Sequence, residues 1–224
     1  SIARNGARWT GLEEDEYDQG QHDGIYEALS VSTAGALIRR SVFEELGGFD
    51  EKLDLFRDDV DFGWRVHTAG QSVLVNTDAV IYHAQAAATE RRSIDVDEAF
   101  LHRPHLLDRR NAAYVLLTNS TWWMLPLITL QITGAAIARS IGYLFAKLPG
   151  YASDEILALV RLIIRPDLVR AGRKWRREDR LVSPRIVTRF MPSRLLQLRS
   201  ALDSVADRIQ SRLFPAQSGL DTNL

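Results

Sequence analysis

The chain has 224 residues, 46% of them hydrophobic, which is enough apolar material for one sizeable core or two smaller ones. It contains no cysteine, so disulfides and thiolate metal sites are excluded. The net charge of −1 is unevenly divided: residues 1–100 carry 20 Asp and Glu against 9 Lys and Arg, and residues 101–224 carry 9 against 19. This uneven charge predicts two units that face different partners. We place the two units at residues 1–90 and 91–224.

The chain begins with a polar segment. Residues 1–28 are interrupted by glycines, which predicts an incoming loop whose acidic run, 13–16, faces water. The segment does not resemble a secretory signal peptide, and the chain has no initiator Met, so we expect a piece excised from a longer protein. The apolar run 31–38 then has the length and the β-branched content of a buried strand.

Two short helices are predicted next. Ser41 and Glu44 have the spacing of a capping box for a helix over 42–46, and Gly47-Gly48 should end that helix with a positive φ. A second helix is expected from Asp58 or Asp59 to Gly70. One face of this helix should contain Val60, Trp64 and His67. On another face, the i,i+4 spacing of Asp61 and Arg65 predicts an ion pair.

Two short strands, 72–76 and 79–83, follow the second helix. The first 90 residues are therefore predicted to be an α/β or α+β piece. Because it has few strands for an independent sheet, we expect it to complete a sheet that begins upstream.

The second half changes in character. Residues 111–138 include no charged side chain, contain Trp122-Trp123 and Pro126, and are flanked by basic residues. In-plane or re-entrant helices, a membrane span and a buried helix of a soluble protein are all compatible with such a run. Basic residues at both ends favour the in-plane arrangement. Helices are predicted over 150–189, and an amphipathic helix over 195–213 precedes a frayed tail from Pro215.

The acidic cluster at Asp58, Asp59 and Asp61 has two interpretations. The carboxylates can be an N-cap and first-turn anions with Arg65 as an ion-pair partner. Alternatively, one of them is a general base whose pKa is raised by the neighbouring charges. His83, at the end of an apolar strand, is either a packing residue or a metal ligand.

A resemblance bears on these alternatives. The segments 32–40, 42–51, 58–65 and 80–83, with Ala69-Gly70 between the last two, resemble in this order the acceptor half of family 2 glycosyltransferases of the GT-A fold. The match covers residues 29–84, and Asp58-Asp59 stands where the family usually has Glu-Asp. The tail is more loosely similar to membrane-associated bacterial members. The resemblance thus implies a partial, Rossmann-like α/β GT-A acceptor half followed by an all-helical, membrane-proximal region.

The resemblance also implies a reaction: inverting transfer of a sugar from a nucleotide-sugar to a hydroxyl of a glycan or lipid-linked acceptor. Asp59 corresponds to the base, and His83 to a ligand of a divalent metal, Mg²⁺ or Mn²⁺, held mostly by an Asp-x-Asp motif that this chain lacks. The residues expected to support the acceptor side are Asp58, Asp61, Arg65, Trp64, Gly47 and Gly48. Without the nucleotide-binding half, we expect the chain to be inactive alone.

The predicted location is the cytoplasmic face of the membrane, where the basic tail meets anionic lipid. One alternative is a non-catalytic docking or scaffold module of a cell-envelope polysaccharide assembly protein. Another is a nucleic-acid binder, which is disfavoured because Trp175 and Phe190 are nearly the only aromatic residues among the arginines. We therefore predict no nucleic-acid partner.

Overall fold

The computed structural model describes residues 2–9, 17, 19–53, 55–82 and 103–193. Two strands and six α-helices occur in these ranges: β1 (Ile25–Glu27), α1 (Arg40–Glu45), α2 (Asp58–Thr68), β2 (Leu74–Asn76), α3 (Pro104–Asn119), α4 (Leu125–Phe145), α5 (Pro149–Ile163) and α6 (Pro166–Glu178). Short 3₁₀ helices occur at Thr33–Gly35, Trp122–Met124 and Pro184–Phe190. A small mixed α/β piece therefore precedes a helical region.

The described sheet has two antiparallel strands, with Tyr26 opposite Val75. Strand β2 confirms the first predicted strand in its central part. The prediction of an unbroken loop over 1–28 was wrong at β1, because this strand is stabilised by pairing with a segment about fifty residues away, which local composition does not reveal. The second predicted strand, 79–83, does not form over its described residues, 79–82.

The predicted buried strand over 31–38 was also wrong. This segment is irregular around the 3₁₀ turn Thr33–Gly35, and the side chain of Leu37 is fully exposed. A strand needs a neighbour that satisfies its backbone N–H and C=O groups, and no described strand pairs with this segment. Instead Ser32 Oγ accepts a hydrogen bond from Ala34 N, which stabilises the turn.

Both short helices are present, with one difference at a cap. Helix α1 begins at Arg40, so Ser41 lies inside the helix and the predicted capping box does not form. Glu44 instead accepts a hydrogen bond from Arg40 Nε at 2.7 Å. Helix α2 begins at Asp58 as predicted, after two residues, Phe56 and Arg57, that both have positive φ.

The main hydrophobic core lies around α3. Its buried residues 112–116 pack with Val60 and Trp64 of α2, with Ile2 and Leu29 from the first segment, and with apolar side chains of α4 and α5. The core thus contains residues from both sides of the predicted boundary at residue 90. The boundary itself lies outside the described residues, and the division into two units stays a prediction.

The uncharged run is divided between two helices. Helix α3 ends at Asn119, and the 3₁₀ turn Trp122–Met124 leads into α4, so the run is broken close to Trp122 and Pro126. Helices α5 and α6 confirm helix formation over most of the predicted range 150–189, although residues 164–165 separate them and the range ends in a 3₁₀ helix. The acidic run 13–16, the predicted amphipathic helix over 195–213 and the predicted frayed tail from Pro215 lie outside the described residues.

Candidate active site

A cavity of about 490 Å³ lies between the irregular segment 30–39, the start of α1, helix α2 and the start of β2. Asp59 is the carboxylate in its described lining, and Arg39 is the cation. Phe49 and Phe62 contribute aromatic surface. Groups that can hydrogen-bond to a polyhydroxylated ligand also line it; they belong to Ser30, Thr33, Gln71 and Ser72. The cavity therefore combines one acidic group with a mixed polar and apolar surface, as small-molecule sites generally do.

Helix α2 places Asp59 in the lining of this cavity. Asp59 lies in the first turn, where the free N–H groups and the helix dipole stabilise a negative charge. Its Oδ1 accepts a hydrogen bond from Val60 N at 2.8 Å. The described residues donate no hydrogen bond to the other oxygen.

Asp58 is not part of the cavity lining. Burial, followed by the charge of Asp59, raises the pKa of Asp58 above its ordinary value. The predicted rise in pKa within the acidic cluster is therefore found at Asp58. It reflects the cost of placing two carboxylates side by side at a half-buried helix end.

Asp61 points away from the cavity into a buried ionic network, and its exposed fraction is 0%. It accepts hydrogen bonds from Arg65 Nε at 2.9 Å, from Arg176 Nη2 at 2.7 Å and from Asn119 Nδ2 at 2.7 Å. The pair formed by Asp61 and Arg65 confirms the ion pair expected from the i,i+4 spacing. Asp61 thus braces α2 against α3 and α6.

Asp50 belongs to the same network. Its Oδ2 accepts hydrogen bonds from Arg176 Nη2 at 2.7 Å and from the hydroxyl of Tyr114 at 2.9 Å. Burial alone would raise the pKa of Asp50, but the charge of Arg176 holds this pKa below its ordinary value. Arg176 therefore links the two buried carboxylates to α6, more than a hundred residues away along the chain.

The glycine turn after α1 is held by Arg65. The guanidinium donates to the carbonyl of Leu46 at 2.7 Å and to the carbonyl of Gly48 at 2.6 Å. Gly47 and Gly48 have φ of 69° and 71°, which confirms the predicted positive φ. They face the side chains of Trp175 and Phe43, and neither is in the cavity lining.

Replacing Gly48 with Ala should lower the free energy of unfolding by about 1 kcal/mol or more, because a Cβ is unfavourable at positive φ. The new Cβ would also lie 3.2 Å from the ring of Phe43. Gly134→Ala is the matched control, since its Cβ meets no atom within 4 Å and α4 is helical there. Urea denaturation measures both variants; equal or greater stability of Gly48→Ala would contradict the argument.

The N-terminus of α2 is also fixed by an ion pair. Arg57, buried and in the left-handed region, donates from Nε to Asp108 Oδ1 at 2.9 Å and from Nη2 to Oδ2 at 3.1 Å. Burial opposes ionisation of Asp108, but the charge of Arg57 lowers its pKa from 3.8 to about 2. This pair connects α3 to the turn that presents Asp59.

A lowered pKa in the folded state makes this pair's contribution to stability pH-dependent. The contribution is fully present above the ordinary pKa of 3.8 and is lost as the pH falls towards about 2. The shift corresponds to about 2 kcal/mol. As the pH is lowered from about 5 to about 3, the free energy of unfolding should therefore fall less in Asp108→Asn than in the wild type. If the free energies of unfolding of the two proteins, measured by denaturation, fell in parallel over this range, the assignment would be wrong.

Of the predicted site residues, Asp59 alone is in the described cavity lining. Trp64 lies in the main core with an exposed fraction of 2%, where it packs α2 onto α3. His83 lies outside the described residues, so its role as a metal ligand stays a prediction. The last described residue before it is Tyr82, and the side chain of Ile81 lies next to Gly35.

Several residues around the site were not predicted from the sequence: Arg39, Tyr114, Asn119, Trp175 and Arg176. Asp50 was part of the motif but had no assigned role. The one available signal was the i,i+4 spacing of Gly172 and Arg176, which places a small residue and a cation on one face of α6. In the structure Gly172 contacts Tyr114, and this close approach gives Arg176 access to the carboxylates.

A cavity with one acidic group at a helix N-terminus defines a candidate acid–base site. No family model and no solved structure matches the chain. The chain is 36% identical over 99 residues to the N-acetylglucosaminyl-diphospho-decaprenol L-rhamnosyltransferases of two strains of Mycobacterium tuberculosis, covering 43% of this chain and 29% of the relative. It is 38% identical over 71 residues to the O-antigen biosynthesis protein RfbC of Myxococcus xanthus, and this match covers 32% of this chain and 5% of the relative.

The chain is therefore similar to proteins named for sugar transfer and for polysaccharide biosynthesis. It spans less than a third of the length of the rhamnosyltransferases that it matches. This similarity supports glycosyl transfer in general and is limited to a part of each protein.

Proposed function

We propose that this chain supplies the acceptor side and the general base of a family 2, GT-A glycosyltransferase. The enzyme transfers a sugar from a nucleotide-sugar to a hydroxyl of a glycan or lipid-linked acceptor, with inversion, at the cytoplasmic face of the membrane. The observation that carries this proposal is the position of Asp59, the carboxylate in the described lining of the cavity. The relatives' names, which include a diphospho-decaprenol acceptor, support the class of substrate.

The geometry of Asp59 suits proton abstraction. The carboxylate oxygen without a hydrogen bond would accept the proton of the acceptor hydroxyl as the hydroxyl oxygen attacks the anomeric carbon. A new glycosidic bond forms while the bond to the nucleoside diphosphate breaks on the opposite face, so the configuration inverts. The neighbouring hydroxyl and amide groups of the cavity would orient the acceptor sugar.

The described residues bring together no group of three His, Asp or Glu side chains that could hold an ion. From the resemblance we propose that Mg²⁺ or Mn²⁺, held by His83 and mostly by ligands outside this chain, neutralises the donor diphosphate.

The reaction is tested in membranes that contain the complete enzyme, with nucleotide-sugars and a lipid-linked acceptor. NMR of the product and the donor should show opposite anomeric configurations. Retention of configuration would overturn the inverting mechanism, and absence of transfer from every nucleotide-sugar would overturn the proposed reaction. In the second case, the exposed apolar surface of α4 would favour the alternative function of a non-catalytic docking module.

A further inference from the structure

The outer face of α4 is uncharged and mostly apolar. Arg139 is the helix's one charged residue, and it is buried. The exposed positions include the polar Thr129 and several large hydrophobic side chains, notably Leu130, Ile137, Ile141, Leu144 and Phe145, with exposed fractions of 48% to 85%. With 21 residues, the helix presents this uncharged face over about 31 Å. An apolar face of this size on a soluble surface marks an interaction site.

Helix α4 is joined to α5 by a buried ion pair. Arg139 donates from Nε and Nη2 to the two carboxylate oxygens of Glu155, both at 2.9 Å, and Ser140 Oγ donates to the carbonyl of Ala152 at 3.0 Å. The short connection at 146–148 makes the two helices antiparallel. The two helices consequently form one hairpin, and neither can move into a membrane without the other.

This connection argues against a simple span. The segment Trp122–Phe145 has 24 residues and, by length and composition, could cross a membrane. However, α5 has 15 residues and carries Asp154, Glu155 and Arg161. A helix of this length is shorter than the roughly 20 residues that a span needs, and its charges would be costly in hydrocarbon. A hairpin that lies along the surface avoids both costs.

The ends of the hairpin carry groups typical of a membrane boundary. Trp122 and Trp123 are exposed where α4 begins, and the guanidinium of Arg185 lies 4.2 Å from the ring centroid of Trp123. Exposed cations are present at the other end of α4, in Lys147, and at the end of α5, in Arg161 and Arg165. Aromatic rings and cations are favoured at the headgroups of anionic lipids.

We infer that the α4–α5 hairpin lies in the plane of an anionic bilayer, with the outer face of α4 in the acyl boundary and the flanking cations at the headgroups. The inference deepens the membrane location in the proposed function, on which it rests. It identifies the surface that holds the cavity near a lipid-linked acceptor. Vesicle binding tests this surface without any sugar transfer, so the two proposals can fail separately.

The experiment compares three forms of the full chain by flotation with vesicles of phosphatidylcholine containing about a quarter phosphatidylglycerol. The test variant is Ile137→Glu with Ile141→Glu. The matched control is Ile25→Glu with Val80→Glu, which adds the same charge at exposed apolar positions of the first 82 residues. The test variant should bind at least about tenfold more weakly than the wild type, and the control should lose much less.

Other results would overturn the inference. Equal loss in both variants would show a general charge effect rather than a docking face. Absence of vesicle binding, with self-association that only the test variant abolishes in sedimentation, would assign the face to a second copy of the chain. Vesicle-bound wild type that resists extraction by alkaline carbonate would show a span instead of an in-plane hairpin.

Discussion

Asp59→Asn, introduced into the complete enzyme, should lower kcat by about 10²–10⁴-fold, the range typical for loss of a general base. Asn keeps the size of the side chain and can still accept the hydrogen bond from Val60 N, so the first turn of α2 should be preserved. The amide, however, cannot take a proton from the acceptor hydroxyl. The loss should therefore appear in kcat, with little change in KM for the acceptor.

Asp58→Asn is the matched control. The two carboxylates are adjacent in the same helical turn, but only Asp59 lines the cavity. Removing Asp58 relieves the repulsion that contributes to its raised pKa, so the protein should be equally or more stable, with kcat within a few-fold of wild type. Near-normal kcat in folded Asp59→Asn, together with a large loss in Asp58→Asn, would transfer the role of base to Asp58.

The sequence predicted α2 and the glycine turn well because local signals determine both. Carboxylates in a first turn, an i,i+4 ion pair and two glycines that end a helix act within a few residues. Strand β1 and the irregular segment 31–38 were missed for the opposite reason. Their conformation depends on whether a partner strand is present, and the residues themselves do not indicate this.

The candidate site was predicted in part. The motif led to Asp59, which does line the cavity, while its function as a base stays a prediction. The same motif could not indicate that Asp61 is fully buried, because its partners Asn119 and Arg176 are 58 and 115 residues away in sequence. A basic segment predicts solvated arginines, and only tertiary packing shows that Arg176 is an exception.

Arg176→Met should destabilise the protein by about 3–5 kcal/mol, the cost of breaking a buried ion pair by removing one partner. Met keeps much of the volume of the arginine side chain. Asp61 and Asp50 would nevertheless lose the cation that they share, and both are almost completely inaccessible to solvent. Arg176→Lys should recover only part of the loss, because an ammonium group cannot reproduce the planar fork between the two carboxylates.

Arg177→Met provides the control for this change, since it removes the same charge from the next residue of α6, where the side chain is exposed. Its effect on the free energy of unfolding should remain within about 0.5 kcal/mol in urea titrations. Activity is the second measurement. Because Asp61 holds the helix that presents Asp59, folded Arg176→Lys should lose kcat although residue 176 is remote from the cavity lining. Equal stabilities of Arg176→Met and Arg177→Met would show that the buried carboxylates do not depend on Arg176.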